Sequence, residues 1–283
     1  MKPRGLILDL FGGYLRYVDA EVRLSHVTQV LGAFDIAPPT VRVTLSRLRR
    51  EGWFVTRREG RETVYALTPG LVGVLDAGRR RIFAGPVQGW AGIWTIVIYQ
   101  MSESGRQERN QLRKALAWHG FGPLMTSTWV ALGDRRAEVR SLIDGLTDQR
   151  VDVLSCSSES LEHDRLLARR CWDLDALARE YVDFNAAHQH LLLSPTCLSG
   201  SQALVQRTEL ISGYRHFPFR DPGLPPELRP DPWPGTEAYN IFTAAHARLG
   251  AAARGYVSDI VGRVVPEPGP PPIQLAPSEP RPH

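Results

Sequence analysis

The chain has 283 residues, 34 Lys and Arg against 30 Asp and Glu, and 43% hydrophobic residues, a globular composition. At roughly 100–200 residues per domain it can build two or three cores, and no apolar run approaches the roughly 18 residues of a membrane span. The first segment carries Asp9, Arg16 and Asp19 in place of an apolar signal region, and Cys156, Cys171 and Cys197 make no disulfide framework, so a cytoplasmic protein is expected.

Charge is placed unevenly. Residues 1–88 hold 14 Lys and Arg against 8 Asp and Glu, a net of +6, whereas the remainder carries a net of −2. Seven arginines (42, 47, 49, 50, 57, 58 and 61) fall between Thr40 and Arg61 against only Glu51 and Glu59. Such a cluster calls for an anionic partner. Lys2 and Lys114 are the only lysines, so the position of an arginine says more than its identity.

In chain order, Leu6, Ile7, Leu10, Tyr14 and Tyr17 recur at helical spacing, interrupted by Gly12-Gly13. Leu24, Val27, Leu31 and Phe34 mark a second helix. Pro38-Pro39 opens a third, at the turn where proline is tolerated. Along the third, Val41, Leu45 and Leu48 form one stripe, and Arg42, Val43, Ser46, Arg47 and Arg50 lie opposite at about 100° per residue. Strands over Trp53–Thr56 and Thr63–Leu67 flank a charged loop, Arg57-Arg58-Glu59-Gly60-Arg61. Three helices and a basic hairpin give a winged helix-turn-helix domain over residues 1–68.

A connector helix over 69–88 presents Leu71, Val74, Leu75 and Ile82 and ends near Gly85-Pro86. Residues 89–160 then read as strand Ile93–Tyr99, helix Arg106–His119, strands Phe121–Met125 and Thr128–Leu132, helix Arg135–Leu146 and strand Val151–Cys156. That βαββαβ order is ferredoxin-like. In the second of these helices Val139, Leu142, Ile143 and Leu146 face inward. From 161 to 262 the pattern is helical, over Leu166–Cys171, Leu174–Leu193, Leu204–Tyr214 and Tyr239–Val257, broken by a proline-rich ordered stretch from Phe217 to Gly235. Residues 263–283 read as a disordered proline-rich tail. The fold class is therefore α+β.

The third helix and the hairpin match what DNA recognition requires. Side chains must reach base edges from the N-terminal half of a helix, with cations flanking it for phosphates. Thr40, Arg42, Val43, Ser46 and Arg47 suit the first task, and Arg49 and Arg50 the second. Arginine bridges guanine O6 and N7, and Val43 or Thr40 can touch a thymine methyl. Arg57, Arg58 and Arg61 suit the backbone or minor groove. The plainer account is a solvated amphipathic helix followed by a charged turn.

These residues carry a resemblance to the PaaX family of transcriptional repressors, which control aromatic catabolism. It runs through Leu10-Phe11-Gly12-Gly13-Tyr14, Val41–Leu48 with Glu51-Gly52-Trp53, Arg57–Arg61, Trp94-Thr95, Gly120-Phe121-Gly122, Tyr214–Leu228 and Trp233-Pro234-Gly235. The resemblance implies a dimer that binds operator DNA through the helix holding Arg42, Ser46 and Arg47. It also implies release by an aryl-coenzyme A thioester such as phenylacetyl-CoA.

For such an effector, Tyr214, Arg215, His216, Arg220 and Trp233 supply cations and aromatics on a proline-stiffened segment. Equally, Arg220 beside Asp221, with Phe217 and Phe219, can simply staple the C-terminal region. His163, Cys171, His188, His190 and Cys197 make a metal site conceivable, although two histidines two apart on a helix chelate poorly. No metal and no cofactor are expected. The strand Ile93–Tyr99 has no Asp or Glu for metal-dependent cleavage, and no nucleophile elbow, P-loop or dinucleotide fingerprint occurs.

A dimeric repressor on double-stranded palindromic DNA, without enzymatic activity or membrane contact, is the reading these features favour. The alternatives are an enzyme acting on acyl-CoA or nucleic acid with a DNA-targeting domain, and a regulator sensing a metal or another small molecule.

Overall fold

The computed structural model describes residues 1–18, 21–85, 89–101, 105–144, 150–193 and 198–269. The fold is α+β, and the chain divides into two compact units. The first comprises Met1–Ala84, His188–Gly213 and the chain from Ile241 onward; the second comprises Gly85–Ala187 and Tyr214–Asn240. The helices read from sequence as one C-terminal domain are thus shared between the two. Among the described residues no helix is long and apolar enough to cross a membrane.

The first unit opens with α1 (Pro3–Gly13), which stops at its glycine pair and passes into a short 3-10 turn, Leu15–Tyr17. Then come β1 (Glu21–Arg23), α2 (Leu24–Gly32), α3 (Pro38–Arg50), β2 (Phe54–Glu59), β3 (Glu62–Leu67) and α4 (Pro69–Ile82). The strands form an antiparallel sheet in the order β1-β3-β2. With α2 and α3 they make a winged helix-turn-helix. Strand β1 was not legible in the sequence: three residues are too few for a period, and only pairing with Val64–Ala66 makes them a strand.

Leu6, Leu10 and Phe11 of α1, Val27 and Leu31 of α2, and Val41, Leu45 and Leu48 of α3 fill the core, each at most 1% exposed. Phe54 joins them, its ring 4.8 Å from Phe11 and 6.1 Å from Tyr65. On α4, capped by the Thr68 hydroxyl, Leu71 is buried while Val74 is exposed. Leu71, Leu75 and Ile82 keep one stripe at 100° per residue, and Val74 lies beside it rather than on it.

The same unit holds α9 (His190–Leu193), most of α10 (Gly200–Tyr214) and residues 241–261 of α11 (Pro234–Val261). Phe83 packs 5.2 Å from Phe242 and 5.0 Å from His246. The start of the segment read as a disordered tail is docked. Val265 is 3% exposed and its amide donates to Ser258 Oγ, while Arg79 donates to the carbonyls of Pro268 and Gly269. The residues from 270 onward lie outside the described ones, as do Leu146 and Cys197.

The second unit contains β4 (Trp94–Gln100), α5 (Arg106–Trp118), β5 (Gly122–Met125), β6 (Thr128–Leu132), α6 (Arg136–Ile143) and β7 (Arg150–Cys156). Its antiparallel sheet runs β5-β6-β4-β7, the ferredoxin-like order. Alternation sorts the side chains onto two buried faces. Val97, Tyr99, Trp129 and Ala131 pack with Leu112 and Leu116 of α5 and Val139 of α6. Trp94, Ile96, Val130 and Leu132 face the other way, onto α7 (Leu161–Cys171), Leu174 and the 224–228 segment. Leu174 begins α8 (Leu174–His188). On this face buried Asp164 accepts hydrogen bonds from Trp90 Nε1 (2.8 Å), Trp94 Nε1 (2.6 Å) and Ser158 Oγ (2.6 Å).

Candidate nucleic-acid interface

Helix α3 is aimed by both of its ends. Ala37 enters it in extended conformation, and Pro38 and Pro39 occupy the first turn, where no amide is missed. At the far end Gly52 takes φ +82°, its amide donates to the Arg49 carbonyl and the Trp53 amide to the Leu48 carbonyl, the Schellman pattern. That closure turns the chain directly into β2, so the wing is anchored to the helix by backbone bonds. The hairpin is tighter than the sequence suggested. Arg57 and Arg58 lie within β2, paired with Val64 and Thr63, and only Gly60-Arg61 forms the turn. A glycine at φ +60° permits that two-residue connection, so the charged run extends the ladder instead of looping out.

With Val41, Leu45 and Leu48 facing the core, Thr40, Arg42, Val43, Arg47, Arg49 and Arg50 are exposed and Ser46 is half-buried. Val43 is 70% exposed, an apolar β-branched side chain presented outward between cations.

The carboxylates divide the seven arginines. Arg47 Nε donates to Glu51 at 3.0 Å, and the same carboxylate receives Arg4 and Trp53 Nε1. The Arg4 hydrogen bond is the main reason the Glu51 carboxyl is held below its usual range, with Arg47 and Trp53 adding to it. Arg57 is gripped by Glu21 of β1 and by Glu59, which also accepts from Arg23 at 2.9 Å. Arg42, Arg49, Arg50, Arg58 and Arg61 form no ion pair among the described residues, and Arg58 donates only to the Arg61 carbonyl at 3.4 Å. Five guanidiniums are therefore available to an external anion, and two are engaged internally.

Sequence reasoning set Glu51 and Glu59 against the arginines without pairing them, and it missed Glu21. Glu51, four residues after Arg47 on a helix, was readable from spacing. Glu21 was not, because its approach to Arg57 depends on β1 and β2 flanking the same strand.

In the second unit the residues considered for an effector separate. Tyr214 is buried among Phe184, Phe217 and Tyr239, and burial, with the nearby Asp221 charge, raises its hydroxyl pKa. Arg220 forms a two-pronged pair with Glu180 of α8, not with its neighbour Asp221, and His216 Nε2 lies 3.6 Å from the same carboxylate. Asp221 instead accepts from Tyr181 Oη at 2.8 Å and the Gly223 amide at 2.7 Å. Arg215 is half-buried. Trp233 stands apart from these, edge-on to Tyr181 at 5.7 Å and lining a cleft with Arg165, Arg169 and Arg229.

Cys171 is buried, which pushes its thiol up to about 11, and His163 meets Glu159 at 3.1 Å. Among the described residues no three His, Cys, Asp or Glu side chains are grouped to hold a metal ion.

Three family models match successive stretches of the chain. Residues 2–70 match the model of PaaX-like proteins, residues 87–168 that of the PaaX central Cas2-like domain, and residues 172–259 that of the PaaX-like C-terminal domain. The transcriptional repressor PaaX of Escherichia coli (strain K12) is 28% identical over 262 residues, 90% of this chain and 82% of the relative. Among solved structures, the uncharacterized protein Rv0674 from Mycobacterium tuberculosis aligns with a TM-score of 0.55 at 23% identity, over 87% of this chain and 96% of that one, and so shares the fold. With three consecutive models matched in order from residue 2 to residue 259, the chain belongs to the PaaX family.

Proposed function

We propose that the protein is a transcriptional repressor that binds double-stranded DNA with α3 in the major groove and the β2–β3 hairpin on the adjoining backbone. The observation that carries this is the outward face of α3, where Val43 stands between unpaired Arg42, Arg49 and Arg50 on a helix whose opposite stripe is buried. Base edges are read by such a mixture of guanidinium and methyl groups, and flanking cations take phosphates. Kinship with a named repressor supports the same reading. It acts in the cytoplasm, as a regulator and not as an enzyme.

The protein works as a homodimer, and two-fold symmetry then calls for a palindromic operator with half-sites one or more helical turns apart. An aryl-coenzyme A thioester releases it by favouring a subunit geometry that no longer fits that spacing, which requires unequal affinity for the two geometries. The test is fluorescence anisotropy with DNA from upstream of its own gene and neighbouring genes, at fixed salt, with and without phenylacetyl-CoA. Salt-sensitive binding abolished by the thioester is expected. Binding no tighter than to random DNA would end the repressor reading; tight binding indifferent to the thioester would end the effector part alone.

A further inference from the structure

The second unit contains a cleft of about 670 Å³ that the DNA interface does not use. Three pieces of chain build it: α7, the proline-rich segment 226–233 and the first turn of α11. Arg165 and Arg169, four apart and so on one face of α7, meet Arg229 across it. Asp231 is the single carboxylate in the lining, and it pairs with none of these arginines. Arg169 and Arg229 form no hydrogen bond or ion pair among the described residues, the Arg229 charge acting only at longer range on buried Asp221. Arg165 spends only its Nε, on the Glu227 carbonyl at 2.7 Å, which fixes the guanidinium and leaves its outer nitrogens uncommitted.

Two further features converge on the same space. Thr236 lines it from the first turn of α11, a helix of 28 residues, whose positive end favours an anion although Glu237 of the same turn offsets part of that field. Trp233 supplies an aromatic wall, and its ring is held in place. A Cβ on Gly235 would lie 2.5 Å from Trp233 Nε1 and 2.8 Å from the Tyr181 ring, so only glycine lets the indole pack there. The adjoining prolines limit how far this wall can move.

We propose that this cleft binds a nucleotide-type polyanion, the three guanidiniums and the start of α11 taking phosphate groups and Trp233 stacking on the base. The volume lies within the range of small-molecule sites, and three cations against one carboxylate leave a charge that a phosphate or pyrophosphate neutralises. The chemistry is read from the cleft itself. Its assignment to the phosphate-bearing half of a coenzyme A effector rests on the function proposed above.

The experiment is isothermal titration calorimetry of the full chain with coenzyme A and, separately, inorganic pyrophosphate, without DNA. Arg169→Ser/Arg229→Ser removes two charge-assisted contacts and is expected to weaken both ligands by at least the roughly tenfold that loss of one would cause. Arg113→Ser on exposed α5 removes a charge elsewhere and is expected to change neither. Trp233→Leu is expected to weaken coenzyme A and spare pyrophosphate. Melting temperatures identify any variant that fails to fold, and the single Arg169→Ser change at an exposed site then carries the test.

Absence of binding by the wild-type chain, or equal affinity of wild type and double variant, overturns the proposal. Equal loss of both ligands in Trp233→Leu, or loss of neither, overturns the stacking role. Since the readout contains no DNA, a failure of the repressor reading leaves these outcomes intact. An aryl-CoA that still releases DNA from the double variant would place the effector elsewhere.

Discussion

In the proposed DNA complex Glu51 would compete with phosphate for Arg47, and Glu51→Gln is therefore expected to tighten operator binding. The carboxylate lies at the C-terminal end of α3, 3.0 Å from Arg47 Nε, and the Arg4 hydrogen bond is the main reason it is held below the usual carboxylate range. Glutamine preserves the shape and an acceptor for Trp53 Nε1 and removes the charge that holds Arg47. Each phosphate contact contributes a slope of about 0.9 in log K against log salt, so at 0.1 M salt one further contact multiplies affinity about eightfold. The pair being exposed and screened by solvent, its loss is expected to leave folding stability nearly unchanged. Anisotropy titrations at several salt concentrations read both quantities. A double-mutant cycle with Arg47→Ala assigns the gain, because the gain should vanish when Arg47 is absent. Unchanged affinity and slope in Glu51→Gln would show that Arg47 does not reach DNA, and weaker binding would show that the Glu51-held pose is the one that does.

The other arginines yield a paired expectation: Arg58→Ala lowers the salt slope by about 0.9, while Arg57→Ala, whose guanidinium already serves Glu21 and Glu59, leaves it unchanged. Equal slopes for the two variants would refute the sorting by carboxylates. Asp164→Ala strands the indole donors of Trp90 and Trp94 and the Ser158 hydroxyl, and a loss of about 3–5 kcal/mol is expected in urea unfolding followed by tryptophan fluorescence. Less than about 1 kcal/mol would mean that water takes over the role of the carboxylate. His246 is pulled from 6.5 down to about 3, first by burial and then by Arg207, Arg79 and Arg254. The unfolded chain takes up that proton below pH 6.5 and the folded chain does not, so stability falls as pH drops from 6.5 towards 3. His246→Gln should remove that part of the decline in melting temperature between pH 7 and pH 5, and an identical decline would place the titration elsewhere.

Much of the fold could be read from periodicity because single faces are buried. Val41, Leu45 and Leu48 marked α3 and Pro38-Pro39 its start, and the strands read over Ile93–Tyr99 and Thr128–Leu132 match β4 and β6 to within one residue. What could not be read depends on pairing between distant segments. Strand β1 exists only through β3, and the grip of Glu21 on Arg57 follows from it. The cleft around Trp233 has the same origin. Arg165 and Arg169 stand some sixty residues before Arg229, and neither a charge run nor a motif announces their meeting. Conversely, Arg220 and Tyr214 were conspicuous in sequence as a cation and an aromatic ring, yet the structure spends one on Glu180 and buries the other in a tilted contact with Phe217.

The helix-turn-helix of this chain is not a reader on a free tether. Its own compact unit includes α10 and most of α11, and the contacts are with the elements that support α3. Tyr14, at the end of α1, lies under the Arg207 guanidinium of α10 at 5.2 Å, and Phe83, just past α4, packs on Phe242 and His246 of α11. Arg207 is 3% exposed, and α11 holds it from one side, its Nε donating to the His246 carbonyl at 3.0 Å and its Nη2 lying 3.4 Å from His246 Nδ1. A buried cation tied both to α11 and to the Tyr14 ring tolerates displacement poorly, since moving either helix breaks contacts that water does not replace. A shift of either helix must then repack against α1 and α4, and α1 is itself in contact with α3. Control of DNA binding in this architecture can therefore work through discrete repacking inside the DNA-binding unit, with no change at the residues that meet the bases.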